Sequence, residues 1–444
     1  MNNILNNNRL FQWQDIIYGS IWFVIIVFFA FVWKSIGHKK KDVKNYFIPA
    51  LILRLICGFI GGIITEFYYD GIGDTKGYFL GAAERRYNFE NNLQSLSDIF
   101  TFYDSTAIVS EFAFPLTYLS NNTYTPITLF FSTFAFAGSW QLYKLFLLFY
   151  PNLHKQLSYC ILFLPSIFFW GSGLMKDSLS LGGLGFLLYA TYNIFLGKKK
   201  IITNIIILVL SAWLIYLIKV YILVAAIPSI GIWLSIHFSS QFKSSVIRFL
   251  ILPLLIIVSL LTAGFILQNL TNDYSSKTSS YNSKNVLQNV KAQQDGYTYG
   301  EAGGSYISQG EYDGSISSFI TLLPIAVITT FFRPFPWEVK NILMIFSALE
   351  NFILLYLTLK VFISLGIGQV FSIIKSNPFL IFCVIFSVIF AGFVGASTFN
   401  LGTLARYKIP CLPFIWLIVI VLNEKVKEKK IVRKRFLTKE LIHG

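Results

Sequence analysis

The chain has 444 residues, of which 55% are hydrophobic and only 13% charged, with a mean hydropathy of +0.63. Soluble domains carry about 25% charged residues, so this composition excludes an ordinary soluble fold and points to repeated membrane crossing. The net charge of +15 is gathered in Lys39-Lys40-Lys41, Lys198-Lys199-Lys200 and the tail from Lys425 to Lys439. Clusters that flank apolar runs set membrane topology and argue against nucleic acid as a partner.

In chain order, apolar runs cover residues 16–34, 47–66, 126–148, 157–172, 178–196, 201–218, 220–238, 248–268, 317–332, 341–363, 378–396 and 408–422. The basic clusters fix residues 35–46, 197–200 and the C-terminal tail as cytoplasmic. Parity then places the N-terminus outside and the C-terminus inside, and makes residues 67–125 and 269–316 outer loops. An even number of crossings between Lys200 and Lys425 leaves one candidate over. The run 317–332, interrupted by Pro324 and followed by Arg333-Pro334-Phe335-Pro336-Trp337-Glu338, is the predicted re-entrant or interfacial helix. A broken hairpin over 201–238 is the alternative. The expected fold is therefore all-α: a polytopic membrane protein of about eleven transmembrane helices, one re-entrant or interfacial helix and two outer loops. No cleavable signal peptide is expected, because the Asn-rich start lacks a small-residue cleavage pattern.

The first outer loop carries Asp70, Asp74, Glu84, Glu90, Asp98, Asp104 and Glu111 against Lys76, Arg85 and Arg86. Cys57, Cys160, Cys383 and Cys411 lie in apolar runs without metal-ligand spacing, and the four histidines fall in or beside cytoplasmic segments. Disulfide, zinc and outer-face His chemistry are thus not expected. Arg54 lies well inside the second run and Glu66 at its outer end. Charge at membrane depth is costly and marks a function or a partner, with snorkelling to the interface as the bland option for Arg54.

Four polar groups fall on the predicted outer face. They are Gly73 to Tyr78 with Asp70 just before, Gly171 to Asp177, Phe332 to Glu338, and Asn400 to Lys408. Such a set suits a lipid-phosphate substrate. Lys176, Arg333, Arg406 and Lys408 supply cations for a phosphate, and Asp74 can serve as base toward an acceptor hydroxyl. Asp177 can orient it or hold a divalent cation, Mg or Mn. Tyr78, Trp170 and Trp337 can stack on sugars, and Glu338 of the third group is a further candidate substrate-binding residue. The structural alternatives are an Asp74 cap on a helix from Thr75 to Arg86, a local Lys176–Asp177 ion pair, and interfacial anchoring by Arg333 and Trp337.

Three stretches resemble the GT-C superfamily of integral-membrane glycosyltransferases: the acidic first outer loop, LPSIFFWGSGLMKDSL (Leu164–Leu179) and GTLARYKIPCLPF (Gly402–Phe414). The resemblance implies transfer of a sugar from a polyprenyl-phosphate donor to a lipid, glycan or protein acceptor, at the outer face of the cytoplasmic membrane. It implies a catalytic base at Asp74, with Asp70 as the alternative, and an assisting acid at Asp177, at a metal or at the acceptor. It also implies a division into an extra N-terminal span (1–46), a GT-C-like module (47–240) and a C-terminal region (241–444) with a basic tail at 423–444. The first loop lacks the adjacent acidic pair of several GT-C families. A polysaccharide polymerase or ligase of the Wzy type, relying on arginine, and a lipid or solute transporter are the competing classes.

Overall fold

In the computed structural model, residues 9–37, 41–102, 104–239, 307, 313 and 315–443 are described, and their regular elements are all helical. The run 248–268 and nearly all of the loop 269–316 lie outside the described residues. The chain divides into two units, Met1–Val220 and Tyr221–Gly444.

In the first unit, a stretch of Ile, Val and Phe forms α1 (Trp13–Gly37). Next comes α2 (Phe47–Ile63), extended by a π-helical turn over Ile64–Tyr68. The first outer loop is itself folded: α3 (Asp74–Glu90) and α4 (Ser105–Leu119) pack against each other. Asp104 starts α4 by accepting the N–H groups of Thr106 and Ala107 at 3.2 and 3.1 Å. Buried Glu111 holds the preceding turn through Thr101 Oγ1 (2.9 Å) and the Phe102 N–H (3.1 Å). Then follow α5 (Tyr124–Phe149), α6 (His154–Ile161), α7 (Pro165–Trp170), α8 (Lys176–Tyr192) and α9 (Ile201–Lys219).

The run 157–172 is a broken segment rather than one helix. Pro165 takes the first position of α7, where its missing N–H costs nothing, and holds Leu164 extended. The segment nonetheless carries the chain back, because α5 and α8 run parallel. Ser132 meets Gly173 at one end (2.8 Å, Gly173 N–H donating), and the rings of Phe149 and Tyr192 meet at the other, with centroids 5.8 Å apart. The return from Phe149 to the level of Ser132 covers about 25 Å at 1.5 Å per residue, close to the thickness of a bilayer core. Between these ends the helices touch backbone to backbone. A Cβ on Gly185 would lie 1.9 Å from Gly138 O, and one on Gly138 2.0 Å from Gly182 O. Small residues at a helix crossing allow this approach in a membrane, where packing rather than the hydrophobic effect drives association.

The second unit contains α10 (Tyr221–Ser239), α11 (Ile316–Phe332), α12 (Ile342–Lys375), α13 (Pro378–Ser397), α14 (Leu401–Tyr407) and α15 (Leu412–His443). Pro324 is accommodated within α11, which lies along α13; Thr330 Oγ1 donates to Ala391 O at 2.9 Å. Helix α12 breaks at Gly366, whose φ of +76° falls in the left-handed region open to glycine. Asn341, Asn377 and Asn400 start α12, α13 and α14 by accepting backbone N–H groups.

Among the described residues, eight helical segments are long and apolar enough to cross a membrane. They are Trp13–Lys34, Phe47–Tyr68, Lys176–Gly197, Ile201–Lys219, Tyr221–Ser239, Ile342–Lys375, Pro378–Ser397 and Ile409–Val432. A shorter apolar stretch covers Ile320–Phe332. The all-helical, multi-pass architecture expected from hydropathy is present.

Candidate functional site

In the first unit, α2 leads directly into the acidic stretch. The π-helical turn places Glu66 where its carboxylate meets Lys76 Nζ at 3.3 Å. Gly71 permits this closure: its φ is +73°, and a Cβ there would lie 2.4 Å from the Lys76 ammonium. Asp70, at φ +49°, and Asp74 are both exposed. Gly73 occupies the N-cap without a side-chain bond, so Asp74 is the first helical residue of α3 rather than its cap. A carboxylate in that first turn is favoured by the helix dipole. Helix α3 is anchored through Thr75, whose hydroxyl lies 3.0 Å from Tyr124 Oη, and through buried Phe79 and Ala82. Exposed Phe67, Tyr68, Tyr69 and Ile72 flank the acids.

Tyr78 is only 2% exposed and shares an apolar cluster with Ile108, Leu174, Leu179 and Ile218. Its ring is part of the core and leaves no face for a sugar. The same cluster brings α3, α4, α5, α8 and α9 together, so the segments bearing Asp74 and Asp177 rest on one core.

Asp177 itself is buried, and its carboxylate receives the ammonium of Lys219 from the end of α9. Lys176 turns instead to the start of α4, donating to Ser105 Oγ at 3.0 Å and Thr106 Oγ1 at 2.9 Å. The turn before Asp177 is fixed from three sides. Arg54 donates to Gly171 O at 2.8 Å, Gly173 N–H to Ser132 Oγ at 2.8 Å, and Ser178 Oγ to Gly173 O at 2.7 Å. Arg54 therefore does not snorkel. It is fully buried, bonds Ser139 Oγ at 2.9 Å as well, and satisfies the carbonyl at the end of α7. An ammonium held on Asp177 does not suit a divalent cation at the same carboxylate. Among the described residues no three His, Cys, Asp or Glu side chains converge as metal ligands.

In the second unit, Arg333 is clamped by Glu338, with Nε lying 2.9 and 3.1 Å from the two carboxylate oxygens. Glu338 also accepts the Phe335 N–H at 2.8 Å. Partial burial opposes its ionisation, but the Arg333 bonds and charge with the Phe335 N–H outweigh it and hold the carboxyl below its ordinary value of 4.5. Lys408 is fully buried and donates to Arg333 O at 3.0 Å and Asn351 Oδ1 at 2.7 Å. Asn351 Nδ2 in turn donates to Pro334 O at 3.2 Å. Lys408 thus positions the Arg333 turn and offers no surface to a ligand. Trp337 is 74% exposed and stacks on Phe335 with centroids 4.9 Å apart. Arg406 is half-buried on α14.

Lys219 and Asn351 were not singled out by sequence, whereas Glu66, marked there as a charge with a function or a partner, has its partner in Lys76. Lys219 had a legible signal, a lone charge within the apolar stretch 201–238; Asn351, in the middle of α12, had none.

These elements define a multi-pass helical membrane protein with polar clusters at helix ends. Comparison with family models, curated proteins and solved structures gives no match.

Proposed function

We propose that the protein is a membrane glycosyltransferase. It moves a sugar from a polyprenyl-phosphate donor to a hydroxyl of a lipid, glycan or protein at the outer face of the cytoplasmic membrane. In this reading the chain crosses about eleven times, with the N-terminus outside and the C-terminus in the cytoplasm. The observation that carries it is the setting of Asp74: an exposed carboxylate on a helix fixed to the membrane core, directly after a spanning segment and beside exposed Tyr68 and Tyr69. A general base needs access to its proton and a rigid mount, and Asp74 has both. Asp177, held by Lys219, positions the turn at the start of α8. Arg333 and Arg406 are the proposed phosphate contacts of the second unit, with Glu338 and Lys408 positioning Arg333 and with Trp337 as an exposed ring. No step of the reaction is routed through a metal.

The test is a transfer assay on Asp74→Asn and Arg406→Ala, each checked for wild-type expression and melting. Asp74→Asn is expected to abolish transfer. A variant that keeps full activity without the acid, together with a strict dependence on Arg406, would replace this reading with a polymerase.

A further inference from the structure

In the first unit, a basic group gathers at the end of α8 opposite to Asp177. Lys144 of α5 is half-buried and lies over the ring of Tyr189 of α8, 4.5 Å from its centroid. A ring face attracts an ammonium without neutralising it, and Lys144 makes no ion pair among the described residues. The one acid between Glu111 and Val220 is Asp177, which is held by Lys219. It stands about 18 Å before Tyr189 along α8 at 1.5 Å per residue.

From Tyr189 a chain of contacts leads to the turn between α8 and α9. Asn193 hydrogen-bonds the Tyr189 hydroxyl. It also donates from Nδ2 to Asn204 Oδ1 at 3.3 Å and accepts the Lys199 N–H at 3.0 Å. Asn204 Nδ2 donates to Lys199 O at 2.8 Å and Lys200 O at 3.0 Å. Both asparagines are buried, so the turn is fixed from beneath while Lys198, Lys199 and Lys200 stand exposed. Lys198 and Lys200 have φ of +48° and +44°, a region that strains a lysine and is open to glycine. Setting membrane topology needs only charges near a span. It needs neither a clamped turn nor lysine in a left-handed conformation, and strain of this kind collects at binding sites.

We propose that Lys144 and the turn Lys198–Lys200 bind the phosphate of an anionic glycerophospholipid. The residues around the turn put it at a membrane surface. Phe195, Ile201, Ile202 and Ile205 are exposed, and α9 is long and apolar enough to cross. Acyl chains lie against these side chains while the phosphate meets the lysines. Basic groups between spanning helices suit lipids of net negative charge. A choline headgroup fits less well, because it adds a further cation among four lysines. The site is independent of the proposed sugar transfer.

The test is native mass spectrometry of the full-length, delipidated protein titrated with phosphatidylglycerol and, separately, with phosphatidylcholine, each with and without excess inorganic phosphate. Wild type is expected to retain phosphatidylglycerol in preference to phosphatidylcholine, undisturbed by inorganic phosphate. Lys198→Gly with Lys200→Gly removes two cations and relieves both left-handed residues. This double variant is expected to melt no lower than wild type and to weaken retention about tenfold. Lys144→Met keeps the apolar contact with Tyr189 and is expected to weaken retention several-fold, with Lys144→Arg close to wild type. Lys340→Gln, at an exposed lysine of the second unit, is expected to leave it unchanged. Equal retention of the two lipids, displacement by inorganic phosphate, or unchanged retention in either the glycine or the methionine variant would each overturn the proposal.

Discussion

At the scale of single residues, the buried Asp177–Lys219 pair is the most exacting feature. Breaking a buried pair leaves one charge uncompensated, at a cost of about 3–5 kcal/mol, whereas replacing both partners can be nearly neutral. Lys219→Met is therefore expected to lower the melting temperature sharply, and Asp177→Asn with Lys219→Met to recover most of the loss. Equal melting of wild type and Lys219→Met would show that the pair is not structural. The Arg333–Glu338 clamp has a pH signature. The Glu338 carboxyl is depressed in the folded state, so its contribution is present above about 4.5 and lost as pH falls through the lower folded value. Glu338→Gln is expected to cost up to about 1 kcal/mol at pH 7, discounted for partial exposure, and the difference from wild type to shrink as pH falls below 4.5 through the depressed folded value. Asp177 was legible in sequence as a charge beside an apolar run. Its partner was hidden because Lys219 stands 42 residues away and reads as the end of a span. Glu338 was legible next to Arg333, but the clamp depends on the turn through Pro334 and Pro336, which folds the chain back on itself.

At the scale of elements, the crossing of α5 and α8 carries the first unit. Because both sides of the contact are backbone, neither can yield to a side chain. Gly138→Leu is expected to cost more than the usual overpacking penalty of about 1–3 kcal/mol and to reduce the monodisperse fraction on size-exclusion chromatography. Gly61→Ala is the internal control. A Cβ there meets open space within 4 Å, and removing a helical glycine gains about 0.5–1 kcal/mol. A Gly138→Leu variant as stable as wild type would contradict the close crossing. The helix predicted from Thr75 to Arg86 exists as α3 with slightly wider bounds. By contrast, the folding of the rest of the first outer loop into α4 was not read, because Glu111 and Pro115 interrupt a short apolar stretch that is not long enough to span. The split of 157–172 could have been read from Pro165, whose preceding residue is disfavoured in a helix.

At the scale of the whole molecule, hydropathy and the basic clusters sufficed for a helical, multi-pass membrane protein. They could not show how polar groups at helix ends are used, since that depends on partners distant in sequence. Arg54 at Gly171, Lys408 at Asn351 and Lys76 at Glu66 are cations that sequence alone would leave open to ligands and that the fold commits to its own groups. Asp74 and Asp70 are exposed, as are the aromatic residues before them, and that setting is the ground for the proposed chemical role of the face. The central claim is that the chain consumes a monophosphate-linked polyprenyl sugar. The most direct measurement is the release of free polyprenyl phosphate by purified wild-type protein in lipid nanodiscs, across a panel of radiolabelled polyprenyl-phosphate hexoses with a glycan acceptor present. The account predicts stoichiometric release and labelled acceptor with at least one donor. Turnover of a diphosphate-linked glycan only, or labelled substrate crossing a vesicle membrane without any covalent product, would contradict it.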